Sequence, residues 1–187
     1  MKNNIASKGI LLALGLIVVA ALSRLMPHPP NFTPLAAMGL FGAAYFANKK
    51  LAFIIPLAAW WFSDLILNNT VYAQYSEGFA LFSSYQIGSF LALGLIVLVG
   101  IFMLKKINFK NILGSSLVAA VLFFIISNFG VWLMGTMYPM TLSGLVACFT
   151  AAVPFFGWSL LGNVVYLSIM VFTFEFAGFK IPSLKLA

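Results

Sequence analysis

The chain has 187 residues, of which 63% are hydrophobic and only 7% are charged. A soluble domain carries about a quarter of its residues as Asp, Glu, Lys or Arg, so this composition excludes a water-soluble protein. A membrane-spanning helix needs about 20 apolar residues, and the chain therefore has enough for roughly six spans and no separate soluble domain. The single cysteine, Cys148, excludes a disulfide within the chain.

Long apolar runs with polar breaks predict an all-α integral membrane protein with six transmembrane helices in one domain, residues 1–187. The second run is short, so it either extends into the preceding loop or packs inside the bundle. Pro154 and Gly157 interrupt the last run. Because proline kinks or ends a helix, we predict a short outer-leaflet or re-entrant helix at residues 143–153 before the last span. The predicted spans are residues 10–25, 35–47, 51–67, 85–104, 112–134 and 156–177.

The net charge of +7 follows the predicted topology. If the N-terminus is cytoplasmic, the nine lysines fall on the cytoplasmic side and Arg24 falls toward the other side. This distribution predicts that both termini are cytoplasmic, and it explains the charge without a nucleic-acid partner. The basic start before an apolar run also fits a cleavable signal peptide, which is the less favoured alternative. The outer loops are the longer ones and, apart from Glu77, are uncharged, so we expect function to face outward.

Polar residues within spans are costly and are functional candidates. Counting 1.5 Å per residue from the cytoplasmic ends of their helices places Arg24, Asp64, Asn128 and Asn163 at one depth of about 20 to 24 Å. Gln86, at the outer start of the fourth span, could join this layer. Arg24 and Asp64 are the only opposite charges there, and since an unpaired buried charge costs several kcal/mol, we predict that they pair directly or through a ligand or water. Whether the pair binds a ligand or only joins two helices stays open.

Aromatic residues share helix faces with this polar layer, because positions three and four apart are neighbours. Apolar walls with a few directed polar groups are typical of a small-molecule pocket, although Trp and Tyr near the end of a span are also interface anchors. His28 lies in a proline-rich loop directly after Arg24. The candidate substrate-binding residues are Arg24, His28, Asn31, Trp61, Asp64, Asn128, Trp132, Tyr138, Asn163 and Tyr166.

Gly39, Ala43 and Ala47 form a ladder of small residues at spacing four in the second helix. Such ladders let two helix backbones approach closely. We favour a contact inside the bundle over a docking face for a partner subunit.

Groups needed for catalysis are missing from the sequence. One histidine cannot provide a histidine metal cluster, a single intramembrane aspartate cannot form a proton-sharing dyad, and no glycine-rich phosphate loop is present. We therefore expect no enzyme activity, no cofactor and no metal site. Cys148 is expected to be a small buried hydrophobe, and Glu175 is expected to pair with Lys180 or Lys106.

Residues 30–46, PNFTPLAAMGLFGAAYF, and a third helix ending in Ser63-Asp64-Leu65 resemble the small six-helix substrate-binding (S) components of energy-coupling factor vitamin transporters. The segment from Tyr138-Pro139 to Pro154-Phe155-Phe156 looks like a related group of uncharacterised membrane proteins. The resemblance implies a high-affinity site in the outer half of the membrane, capped by outer loops, for a vitamin or similar micronutrient. It also implies uptake by toppling of the S component in the bilayer, usually with an ATPase module and a transmembrane partner from other chains.

Two features differ from those S components. They commonly dock their partner through an Ala-x-x-x-Ala face on the first helix, where this chain has Gly9 and Ala13. Solitary cobalamin S components work without the ATPase module and use a cysteine thiolate toward cobalt, but Cys148 lies outside the corresponding third-helix region. The protein could therefore work with an ATPase module or without one. Cobalamin is one candidate ligand.

The sequence as a whole predicts a multi-pass protein of the bacterial cytoplasmic (inner) membrane. Its predicted function is binding or uptake of a vitamin or similar small micronutrient in an outward-facing pocket. The rival hypothesis is a membrane scaffold or assembly subunit without a small ligand.

Overall fold

The computed structural model describes residues 2–75, 78–82, 85–135 and 137–181, and within them it contains helices and no strands. This confirms the all-α fold. Glu77 and Lys185, which the sequence assigns to the outer and the cytoplasmic side, lie outside the described residues. Besides a 3-10 turn at Ala73–Tyr75, the elements are α1 (Lys2–Ser23), α2 (Leu35–Tyr45), α3 (Lys49–Asn69), α4 (Tyr85–Met103), α5 (Phe109–Met134) and α6 (Leu142–Lys180).

Four helices, α3 to α6, are long and apolar enough to cross a membrane. Their outward faces carry large exposed apolar side chains, among them Ile54, Leu91, Leu117 and Phe172. A soluble monomer rarely exposes apolar surface on this scale, so these faces indicate a membrane-embedded protein. The side chains of α1 are described from Lys8 on, and this part of the helix, Lys8–Ser23, is a shorter apolar helix, as is α2.

The short helix α2 forms the centre of the bundle. It contacts each of the other five helices, and those five contact one another in the cyclic order α1, α3, α4, α5, α6 and back to α1. Nine of its 11 residues are buried, from Leu35 to Ala43. At 1.5 Å per residue α2 is about 16 Å long, which is too short to cross the ~30 Å hydrocarbon core. The sequence allowed this run either to extend into the preceding loop or to pack inside the bundle, and in the structure it packs inside the bundle.

Small side chains allow α2 to occupy this central position. A Cβ on Gly100 of α4 would lie 2.6 Å from the Cβ of Ala43, and one on Gly39 would lie 2.7 Å from Leu93. Gly39 and Ala43 therefore make an internal contact with α4, as the sequence favours. Ala47 lies beyond the end of α2 and is exposed, so the structural ladder ends at Ala43.

Helix α6 runs without a break from Leu142 to Lys180, through Pro154. The prediction of a separate short helix at residues 143–153 is therefore not what the structure has. Proline removes one backbone donor and displaces the preceding turn, but the residues on both sides of Pro154 remain helical. The 39 residues extend about 58 Å, nearly twice the thickness of a hydrocarbon core.

Glu175, near the end of α6, has a different partner from the one expected. Its carboxylate accepts a hydrogen bond of 2.7 Å from the hydroxyl of Tyr45 at the end of α2. Within the described residues, the ion pairs do not include Glu175 with Lys180 or Lys106. The bond instead joins α2 to α6 at the end of the bundle where Lys49 donates to the last carbonyls of α2.

Candidate functional site

The ion pair predicted between Arg24 and Asp64 is present. Nη2 of Arg24 lies 2.6 Å from Oδ1 of Asp64, and the two side chains are only 13% and 14% exposed. Arg24 lies just after α1 and Asp64 near the end of α3. Equal depth in neighbouring helices therefore brings the two charges together, and each offsets part of the cost of burying the other.

Buried polar groups hold both partners of this pair in place. Nη1 of Arg24 donates to Oγ of Ser63 at 2.6 Å, and the Ser63 hydroxyl donates to the carbonyl of Trp60 at 2.8 Å. Nε2 of Gln86, from the start of α4, donates to Oδ2 of Asp64 at 3.0 Å. The pair thus links α1, α3 and α4, and both carboxylate oxygens of Asp64 already accept hydrogen bonds.

A cavity of about 190 Å³ lies beside the ion pair, at the N-terminal end of α2. One water needs at least about 10 to 15 Å³ of such a cavity, so the space has room for several waters. It lies where α2 begins, because the shorter central helix leaves this part of the ring interior without a helix. Its lining combines both charges, four uncharged polar residues and three apolar ones: Arg24, Asn31, Thr33, Leu35, Trp60, Asp64, Gln86, Ser89 and Phe123.

Two residues that line this cavity each carry a buried hydrogen-bond donor without a partner among the described residues. The donors are Nε of Arg24 and Nε1 of Trp60. Trp60 is 3% exposed and packs its ring against Phe90 with centroids 4.4 Å apart. An unsatisfied buried donor costs about 1 to 3 kcal/mol, so a ligand acceptor that reached either donor through a small shift of its side chain would stabilise the protein. Within the described part of the chain, no three His, Cys, Asp or Glu side chains are grouped to hold a metal ion.

Asn31 connects this cavity to the rest of the polar layer. It has φ of 64°, a left-handed conformation that Asn adopts more readily than most residues. It lines the main cavity and two neighbouring spaces. The backbone of this loop packs directly on α6, since a Cβ on Gly162 would lie 3.1 Å from the amide nitrogen of Thr33. The loop after α1 therefore forms one wall of the whole layer.

Asn128 and Asn163 lie in the neighbouring spaces. Asn163 is buried beside a gap of about 10 Å³, and its amide lies 3.4 Å from the carbonyl of Ser116. Asn128 and Tyr138 line a second cavity of about 170 Å³. There the thiol of Cys148, which is 2% exposed, lies 3.4 Å from the Asn128 carbonyl. The residues of the predicted polar layer therefore line three separate spaces, and Asn31 lines all three.

Four of the candidate residues do not line these spaces. Nε1 of Trp61 donates to the carbonyl of Leu81, and Nε1 of Trp132 donates to that of Pro139. Nδ1 of His28 lies 3.0 Å from the carbonyl of Pro29. Tyr166 contacts the loop from the other side: its hydroxyl lies 3.1 Å from Oγ of Ser23 and its ring 5.5 Å from that of Phe32.

The candidates chosen from the sequence omit four residues of this site. Three of them line the cavity, Thr33, Trp60 and Phe123, and the fourth, Ser63, holds Arg24 in place. A signal existed for Trp60, which precedes Asp64 by four positions and so shares its helix face. Ser63 adjoins Asp64 in the sequence but contacts Arg24 across the bundle. No local pattern marks Phe123, because only the packing of α5 against α4 and α2 directs it toward the cavity.

The chain belongs to a family described as "Family of unknown function (DUF6580)", whose match covers residues 4–184. No curated protein and no solved structure matches the chain significantly.

Proposed function

We propose that this member of the DUF6580 family binds a vitamin or similar small micronutrient in the cavity beside Arg24 and Asp64, as a membrane substrate-binding or uptake protein. The observation that carries the proposal is a buried, neutralised ion pair on a cavity with two donors that lack partners. A pair that only joined helices would need no open space beside it. A binding site needs the space, the apolar walls and a few directed polar groups together.

The proposed orientation has both termini in the cytoplasm of a bacterium and the cavity in the outer half of its inner membrane. Support comes from the lysines of the described residues, which lie in or directly beside the helix ends opposite to Arg24 and Asp64. In this orientation α1 and α3 to α6 are the crossing helices, and α2 lies within the cytoplasmic and middle depth of the bundle, with the cavity on the outer side of its first residue. The loop carrying Asn31 then separates the cavity from the outer solution.

The size of the cavity favours a small ligand. Pockets for drug-sized molecules measure about 300 to 1,000 Å³, whereas this cavity measures about 190 Å³. Cobalamin is therefore a weaker candidate than the smaller vitamins. Uptake by toppling, with or without an ATPase module from other chains, remains the mechanism that the likeness to S components implies.

The rival function, a scaffold without a small ligand, has less support. The small-residue ladder that offered a docking face is turned inward, since Gly39 and Ala43 pack against α4. A scaffold would also gain nothing from unpartnered donors at a cavity, because each lowers the stability of the fold.

Native mass spectrometry of gently extracted protein tests the proposal by detecting a retained small molecule. We expect a bound metabolite in the wild type, thermal stabilisation by that metabolite, and loss of both in Arg24→Ala. Glu175→Gln, at the opposite end of α2, is the control and should retain the ligand. Absence of any retained or stabilising molecule, together with unchanged uptake by Arg24→Ala cells, would refute the proposal.

A further inference from the structure

The hydrogen-bonding character of the main cavity restricts the ligand that it can hold. Both unpartnered buried atoms, Nε of Arg24 and Nε1 of Trp60, are donors that cannot accept. The acceptor oxygens of Asp64 are both engaged, one by Arg24 and one by Gln86. The two buried donors without a partner therefore favour acceptor atoms on the ligand.

The formal charge of the described residues that line the cavity is zero. Among them Arg24 and Asp64 carry the charges, and these two neutralise each other at 2.6 Å. An anionic ligand would add an uncompensated negative charge beside Asp64, and a cationic one would add a positive charge beside Arg24. Burying an unpaired charge is far more costly than burying a neutral polar group. The charge balance thus favours a ligand that is neutral when bound.

The volume and the aromatic walls restrict the shape. A cavity of about 150 Å³ in another protein is known to hold benzene, so about 190 Å³ accommodates one six-membered ring with a small substituent. Trp60 and Phe123 supply flat apolar surface in the lining, which suits a planar ring.

We propose that the cavity binds a neutral, single-ring molecule that presents a carbonyl or ring-nitrogen acceptor to Trp60 Nε1 and Arg24 Nε. This inference rests on the binding function proposed above and adds the chemical class of the ligand. A fused multi-ring or ionic vitamin does not meet the three conditions of size, charge and acceptor groups.

Three probes of matched size test the ligand class: benzamide, a neutral acceptor; benzoate, an anion; and benzylamine, a cation. Binding to purified protein in lipid nanodiscs is followed by saturation-transfer NMR, with empty nanodiscs to correct for partitioning. We expect benzamide to bind at least about tenfold more tightly than the two ions. Tighter binding of benzoate or benzylamine, or equal binding of all three, would overturn the proposal. This comparison uses the wild-type protein and does not depend on a variant folding.

A pair of tryptophan variants tests the donor itself. Trp60→Phe keeps the ring against Phe90 but removes Nε1, so benzamide should bind about five- to tenfold more weakly, the value of one hydrogen bond. Trp61→Phe removes the neighbouring indole, whose donor is engaged outside the cavity, and should bind as the wild type does. Equal effects in the two variants would contradict the assignment of Trp60.

The two proposals fail in different ways. If native mass spectrometry finds a retained ligand that is ionic or multi-ring and that Arg24→Ala releases, the ligand class is wrong and the binding function stands. If no small molecule is retained and none of the probes binds above the empty nanodiscs, both proposals are wrong.

Discussion

Ser63 connects the guanidinium of Arg24 to the backbone of α3, because its hydroxyl accepts from Nη1 and donates to the carbonyl of Trp60. It is fully buried, so no water can take its place readily. At the scale of single residues, the ion pair is therefore positioned by a neighbour that carries no charge.

Ser63→Ala should lower the free energy of unfolding by about 1 to 3 kcal/mol, since it leaves Nη1 of Arg24 buried without an acceptor. Ser115→Ala is the matched control: Ser115 is equally buried, but its hydroxyl donates only to the Ile112 carbonyl in its own helix. Unfolding in mixed micelles measures both. Equal losses would mean that Ser63 acts through packing and not through Arg24.

Arg24→Met removes the charge that neutralises Asp64 and should destabilise the protein by about 3 kcal/mol or more. The double variant Arg24→Met/Asp64→Leu removes both charges, so it should recover a large part of that stability while losing ligand binding. Unfolding in mixed micelles measures the stability and native mass spectrometry the retained ligand. A double variant as unstable as Arg24→Met alone would show that Arg24 stabilises through something other than the pair.

The sequence pattern predicts the ion pair but not how α3 is rotated about its own axis. The depth of a residue in a helix follows from the number of residues before it, so the sequence alone predicts that Arg24 and Asp64 pair. Trp60 and Trp61 both lie within one turn of Asp64, and only the contact of α3 with its neighbours decides that Trp60 faces the cavity and Trp61 faces Leu81. Similarly, Glu175 binds Tyr45 because the ends of α2 and α6 meet, a tertiary fact with no local sequence signal.

Among the elements, the contact between α2 and α4 sets the position of the cavity floor. Leu35 at the start of α2 lines the cavity, and Ala43 near its end meets Gly100 of α4. A change in the distance between these helices would move that floor relative to Trp60 and Gln86, so packing here and binding there are coupled.

Gly100→Ala should destabilise the protein by about 1 to 3 kcal/mol, because the added methyl meets the backbone of Leu40 at 3.2 Å and the Cβ of Ala43 at 2.6 Å. Gly94→Ala, in the same helix, has nothing within 4 Å of the added carbon and should stabilise α4 by about 0.5 to 1 kcal/mol. Thermal unfolding of the two variants tests this. Similar shifts in both would contradict a close approach of α2 and α4.

Helix existence was predictable from apolar runs, whereas two features of the helices were not. The length of the second run left two placements open, and burial on all sides selected the central one. In α6 the proline suggested a break, yet the helix continues through Pro154. One missing hydrogen bond in a 39-residue helix leaves many others intact, and an apolar environment penalises exposed backbone groups strongly.

At the scale of the whole molecule, the polar cavity lies at one end and the lysines of the described residues at the other, which makes the proposed orientation testable. In a Cys148→Ala background, Phe79→Cys should react with an impermeant maleimide added to intact cells, because Phe79 is exposed in the proposed outer loop. Ile107→Cys, exposed in the loop between α4 and α5, should react only after permeabilisation. The reverse pattern would invert the orientation and put the cavity on the cytoplasmic side.

The closeness of Arg24 and Asp64 has an electrical consequence for a protein that reorients in its membrane. Moving one elementary charge through a potential of 100 mV changes the energy by about 2.3 kcal/mol, so an arginine alone would make the movement depend strongly on voltage. The two charges are 2.6 Å apart and would travel together as a dipole with no net charge. With a neutral ligand bound, the site itself would add no net charge to such a movement, so the ion pair would not couple it to the membrane potential.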